Sequence, residues 1–107
     1  MKIINVTEAP ILDNPLGLNA RIAADSEEIQ IVHFTLQPEE VILPHALPMR
    51  VFFIVLEGEG EISIDNKKEI VSENCLIESP PNVERGWKAV GNKQLRVVAI
   101  KAMKSVK

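Results

Sequence analysis

From Pro44 to Gly60 the chain reads Pro-His-Ala-Leu-Pro-Met-Arg-Val-Phe-Phe-Ile-Val-Leu-Glu-Gly-Glu-Gly. Pro44 and Pro48 remove ladder donors, so this first part belongs to an edge or bent strand. Val51 to Leu56 is apolar on both faces, the pattern of a strand covered inside and outside. Phe52 and Phe53 are adjacent and point to opposite sides, one into the core and the other over the outer face or a partner subunit. Glu57-Gly58-Glu59-Gly60 turns the chain into Glu61-Ile62-Ser63-Ile64-Asp65, whose strict alternation marks one buried and one solvated face. A phosphate-cradling loop is excluded, because no Lys-Ser/Thr pair follows the glycines and the next segment is a strand.

Working outward, Ile29 to Leu36 reads as a strand rich in β-branched and aromatic residues, stopped by Gln37-Pro38. Leu18 to Ala24 has the length of a strand. Upstream, Ile3 to Val6 predicts an edge strand, and Asp13-Asn14-Pro15-Leu16-Gly17 carries strong turn chemistry. Downstream, Asp65-Asn66 predicts a hairpin into Lys67–Val71, and Asn74 to Glu78 another strand before Ser79-Pro80-Pro81-Asn82. Arg85 to Val90, a Gly91-Asn92 hairpin and Leu95 to Ala102 complete the chain. Roughly nine to eleven short strands with no long amphipathic helix argue an all-β sandwich or barrel.

A chain of 107 residues suits one domain, here taken as 1–107, with 46% apolar residues weighted to Ile, Val and Leu. The formal net charge is −3, and the only basic clustering is the tail Lys101, Lys104 and Lys107. No basic stripe of the kind nucleic acid needs is present, and neither nucleic acid nor membrane is an expected partner. The single cysteine, Cys75, excludes an internal disulfide. The first residues lack the apolar core and cleavage site of a signal peptide, so a cytoplasmic location is expected.

Pro44-His45, the apolar strand, Leu56 to Ile62, Ser79-Pro80-Pro81-Asn82-Val83 and Arg85-Gly86-Trp87 together resemble the two motifs of the cupin superfamily, over about residues 30–100. The resemblance implies a small single-domain jelly-roll barrel, or double-stranded β-helix, often dimeric. In that family three histidines and a glutamate point into the barrel and hold one divalent metal. Gly58 and Pro80 set the register. His45 matches the first histidine, Leu47 stands at the second, Val51 at the glutamate, Asn82 at the motif glycine and Arg85 at the third histidine.

Leu and Val cannot coordinate and Arg carries a permanent positive charge, so no metal and no other cofactor is expected unless His33, Cys75, Glu78 or Glu84 rebuild a site beside His45. Taken alone, His33 reads as a partly buried structural residue and Cys75 as a small core residue. Alternation brings 51, 53 and 55 to one face and 85, 87 and 89 to another. His45 and Arg85 are thus expected to face each other across a barrel lined by Leu47, Val51, Phe53 and Trp87. Arg85 either holds an internal carboxylate or an anionic ligand, or more plainly reaches solvent or pairs with Glu78 or another acid. Trp87 is a core residue or, beside Arg85, a cation–π wall.

These features point to a metal-free cupin-like homodimer that binds a small molecule in its barrel, either a small carboxylate or a partly apolar ligand, or serves as a non-catalytic module. An enzyme is the alternative: a dioxygenase or isomerase with a rebuilt metal site, or a relative of the sugar-nucleotide epimerases with His45 as general base. The last requires a carboxylate beside His45. A transcriptional sensor is disfavoured by the lack of a helix-turn-helix segment.

Overall fold

The computed structural model describes residues 1–15 and 17–104, so Leu16 of the predicted turn and Lys107 of the basic tail lie outside it. Nine strands follow one another: β1 (Asn19–Asp25), β2 (Ile29–Leu36), β3 (Val41–Ala46), β4 (Val51–Glu57), β5 (Glu59–Ile64), β6 (Lys67–Ser72), β7 (Leu76–Ser79), β8 (Glu84–Val90) and β9 (Leu95–Ala102). They form two antiparallel sheets, ordered β1-β2-β9-β4-β7 and β3-β8-β5-β6. Apart from the hairpins β1–β2 and β5–β6, each connection carries the chain from one sheet to the other. The result is an all-β jelly-roll barrel, a double-stranded β-helix. The one helical segment among the described residues is a 3-10 turn at Val6–Glu8, and no helix is long and apolar enough to cross a membrane.

The hairpin expected at Asp65-Asn66 is present, with both residues at positive φ, 52° and 66°. The hairpin expected at Gly91-Asn92 is not, because β8 pairs with β3 and β5 while β9 pairs with β2 and β4. That turn is a corner between sheets, and a two-residue turn signal reads the same in either setting. Ile3–Val6 forms no strand. The Asn5 side chain accepts from the Thr7 backbone N–H and starts the 3-10 turn instead, a local bond that competes with a ladder. The stretch 10–12 runs beside β1 instead, with Ile11 bridged to Arg21, the Leu12 N–H donating to the Ala20 carbonyl and the Ile22 N–H to the Pro10 carbonyl. The strand expected from Asn74 begins at Leu76, since Asn74 sits at φ 74°.

The glycines of the opening stretch have separate steric reasons. Gly58 takes φ +83° at the β4–β5 corner, and a Cβ there would run into the backbone carbonyl of Gln94. Gly60 lies in β5, and a Cβ there would come within 3.0 Å of the Trp87 ring. One end of the barrel is filled by Leu36, Val55, Ala89, Leu95 and Val97, each fully buried. The space left between the sheets lies at the other end.

Gly58→Ala must meet both the left-handed backbone and the Gln94 carbonyl, so it is expected to destabilise the fold by roughly 2–4 kcal/mol. Urea unfolding followed by Trp87 fluorescence reads this as a lower midpoint with an unchanged slope.

Candidate functional site

Pleating decides what enters the barrel. On β8 it turns Arg85, Trp87 and Ala89 inward, and on β4 Val51, Phe53 and Val55, all buried. These strands frame a cavity of about 290 Å³. His45, Leu47, Val51, Phe53, Arg85 and Trp87, the six residues singled out in the sequence, all line it. The N-terminal segment adds Leu12, Asn14, Pro15 and Leu18. Asn14 orders that segment by donating to the Leu12 and Leu18 carbonyls and accepting from the Leu18 N–H.

His45 and Arg85 do not face each other across the barrel. They are cross-strand partners on β3 and β8 of the same sheet. An irregularity between Ile42 and His45 absorbs Leu43-Pro44 and returns His45 to the register of Arg85. His45 is exposed at the mouth, with Nδ1 3.1 Å from the Leu43 carbonyl, which can only accept. Nδ1 is therefore the donor, and Nε2 is left for other partners.

Arg85 satisfies neither plain expectation, solvent or an acid. It is 3% exposed, and Nε donates to Ser79 Oγ at 2.7 Å while Nη2 donates to the Pro80 and Met49 carbonyls at 2.7 and 3.1 Å. Nη1 has no hydrogen-bond partner among the described residues, and neither does Trp87 Nε1. Burial pulls the Arg85 guanidinium below its ordinary pKa. Glu78, the expected partner, instead pairs with Arg50 at 2.6 Å on the surface. Trp87 meets Phe34 and Phe53 edge to face, with centroids 6.0 and 5.4 Å away, so it forms a rigid aromatic wall. Asn82 at the motif glycine position takes φ 65°, a conformation Asn tolerates, and its N–H donates to the Leu47 carbonyl.

Sequence reasoning missed Lys101, which was grouped with the basic tail. It continues the inward alternation Leu95, Val97, Ala99, stands opposite Val51 and lines the cavity. That parity was the available signal. Burial first, and then the charge of Arg85, lower its pKa from the ordinary lysine value. Three basic side chains, Arg85, Lys101 and His45, thus line an otherwise mostly apolar cavity, and no Asp or Glu is among its described lining residues.

The side chains named for a rebuilt metal site do not converge beside His45. Among the described residues no three His, Cys, Asp or Glu side chains come together. Glu78 points outward to Arg50, Glu84 is exposed, and Cys75 is a half-buried turn residue rather than a core one. One imidazole beside a guanidinium, a leucine and a valine does not fit a divalent cation. His33 is buried on the far side of β2, where its Nε2 accepts from Arg96 Nε at 3.2 Å. Burial, then Arg96 and Arg21, lower its pKa from 6.5.

Because His33 resists protonation in the fold, its contribution is intact above its unfolded pKa of about 6.5 and is lost as pH falls through the lower folded value. Thermal unfolding between pH 8 and pH 4 is expected to show a falling Tm below about 6.5, and His33→Gln is expected to flatten that segment.

A family model described as Cupin domain matches residues 32–101. No curated protein sequence matches the chain. A conserved protein with a double-stranded β-helix domain from Klebsiella pneumoniae superposes with a TM-score of 0.84 at 16% identity, covering 100% of this chain and 94% of that one. An RmlC-like cupin from Desulfovibrio desulfuricans superposes with a TM-score of 0.77 at 25% identity, covering 96% of this chain and 97% of that one. The polyketide cyclase RemF from Streptomyces resistomycificus gives a TM-score of 0.83 at 18% identity, covering 97% of this chain and 80% of that one. The cyclase likeness extends to the fold alone.

Proposed function

The chain belongs to the cupin domain family, and from this premise we propose that it is a metal-free member which binds a small amphipathic carboxylate inside its barrel. The observation that carries the reading is the sign of the cavity. Arg85, Lys101 and His45 contribute basic groups to a lining that otherwise consists of Asn14 and apolar side chains. A buried guanidinium with an unpartnered NH2 group favours an anion, and the aromatic and aliphatic walls favour an apolar body. At roughly 30 Å³ for each water-sized group, the cavity takes about ten heavy atoms.

The enzyme reading in which His45 acts as general base is less well supported. Such a base needs an orienting carboxylate, and none is among the described lining residues. The same absence disfavours cationic ligands.

Hexanoate at about a hundred times its Kd is expected to raise Tm by roughly 10–20 °C, and hexanol and methyl hexanoate to do little. Arg85→Met is expected to remove the hexanoate response. Equal stabilisation by acid and alcohol in the unaltered protein would sink the anion reading without recourse to the variant.

The same reading includes a homodimer. The outer face of the β1-β2-β9-β4-β7 sheet carries Ile31, Phe52, Ile54, Val98 and Ile100 half-buried, and Leu76 is 64% exposed. An apolar sheet face of this extent is suited to covering by a second copy. A cytoplasmic setting is part of the proposal and rests on the single cysteine. Light scattering is expected to give a dimer mass, with Ile54→Lys shifting it to the monomer. A strictly monomeric unaltered protein would remove this part of the reading.

A further inference from the structure

Lys101 is an expensive residue to place where it is. Its neighbours on the inner face of β9 are Ala99, Val97 and Leu95, and the residue opposite on β4 is Val51. Opposite it on β2 stands Gln30, and Lys101 is half-buried. The ammonium has no hydrogen bond or ion pair among the described residues, and Arg85 lines the same cavity. A partly desolvated lysine near a second cation, in a cavity with no carboxylate among its described lining residues, is the environment that releases a free amine for attack on carbonyl carbon.

We infer that Lys101 is an imine-forming residue and that the ligand class is a small oxo acid, with its carboxylate held at Arg85 and its carbonyl carbon presented to Lys101 Nζ. This rests on the carboxylate-binding reading of the same cavity and narrows it. The depressed pKa of Lys101 agrees with the assignment, since it enlarges the fraction present as free amine. The lone pair of Nζ forms the new C–N bond as the carbonyl π electrons move to oxygen, and proton transfer from nitrogen to oxygen gives the neutral carbinolamine. Loss of the C–O bond then expels one water, whose two hydrogens come from the amine, and leaves C=N. No oxidant or reductant takes part. The apolar tail of the acid lies against Phe34, Phe53 and Trp87, which exclude water and so favour the dehydrated imine.

The test uses the full chain with 2-oxohexanoate and 4-oxohexanoate as probes, differing in the spacing of carboxylate and ketone, and hexanoate as the carbonyl-free control. Sodium cyanoborohydride traps any imine as a secondary amine, which adds the mass of the oxo acid less one oxygen atom. The expected result is a single adduct mapped by peptide mass spectrometry to Lys101 with at least one of the two acids, ahead of exposed Lys88 and Lys93, and lost in Lys101→Arg. The map on the unaltered protein locates the adduct even if that variant folds poorly. Thermal stabilisation by hexanoate and the oxo acids alike, with no adduct or one spread evenly over the lysines, overturns the imine assignment and leaves the carboxylate site standing. Absence of stabilisation by all three acids overturns both.

Discussion

The pleat of three strands decides what this barrel contains. Side chains alternate across a strand with a period of two, so β4 turns 51, 53 and 55 inward, β8 turns 85, 87 and 89, and β9 turns 95, 97, 99 and 101. A slip of one residue in any of them would exchange the buried set for the outward one. Register is held by the corner at Gly58, where the chain leaves one sheet for the other against the Gln94 carbonyl, and by Gly60, which leaves room for Trp87. The filled end and the open end of the barrel follow from the same parity. Large aliphatics occupy one end, whereas Arg85 and Lys101 occupy inward positions at the other.

Arg85 also ties the two halves of the site together. Its donors reach Ser79 at the end of β7, Pro80 in the β7–β8 loop and Met49 in the β3–β4 loop, while Asn82 and Leu47 join those two loops through a backbone hydrogen bond. A charge this buried is tolerable because neutral acceptors solvate most of it, and with no carboxylate among the described lining residues its net charge is uncancelled. Lys101 adds to that field and is itself disfavoured as an ammonium, first by burial and then by the charge of Arg85. Arg85, Lys101 and His45 thus give the described lining of this barrel its basic groups, with no acidic side chain among them.

Much of the strand pattern was legible. Ile29–Leu36 and Val51–Leu56 are strands because β-branched and aromatic runs bounded by turn residues have few other solutions. Boundaries failed where a local side-chain bond or a left-handed residue competed with the ladder, as at Asn5 and Asn74. The Gly91-Asn92 turn was placed correctly and given the wrong role. A turn signal describes the backbone of a few residues and carries nothing about which strands will pair beyond it.

The sequence by itself determined the all-β class and the alternating inward faces, since these follow from residue type and spacing; that Leu47, Val51 and Arg85 stand at the ligand positions of a metal site is what the cupin resemblance implies. Tertiary structure alone decided that His45 and Arg85 are neighbours in one sheet and that Arg85 is held by carbonyls rather than by Glu78. It also decided that Lys101 belongs to the cavity rather than to a tail. The reason is range: pleat and ligand chemistry are local properties of the chain. The electrostatic character of a cavity depends on which distant strands are brought together around it.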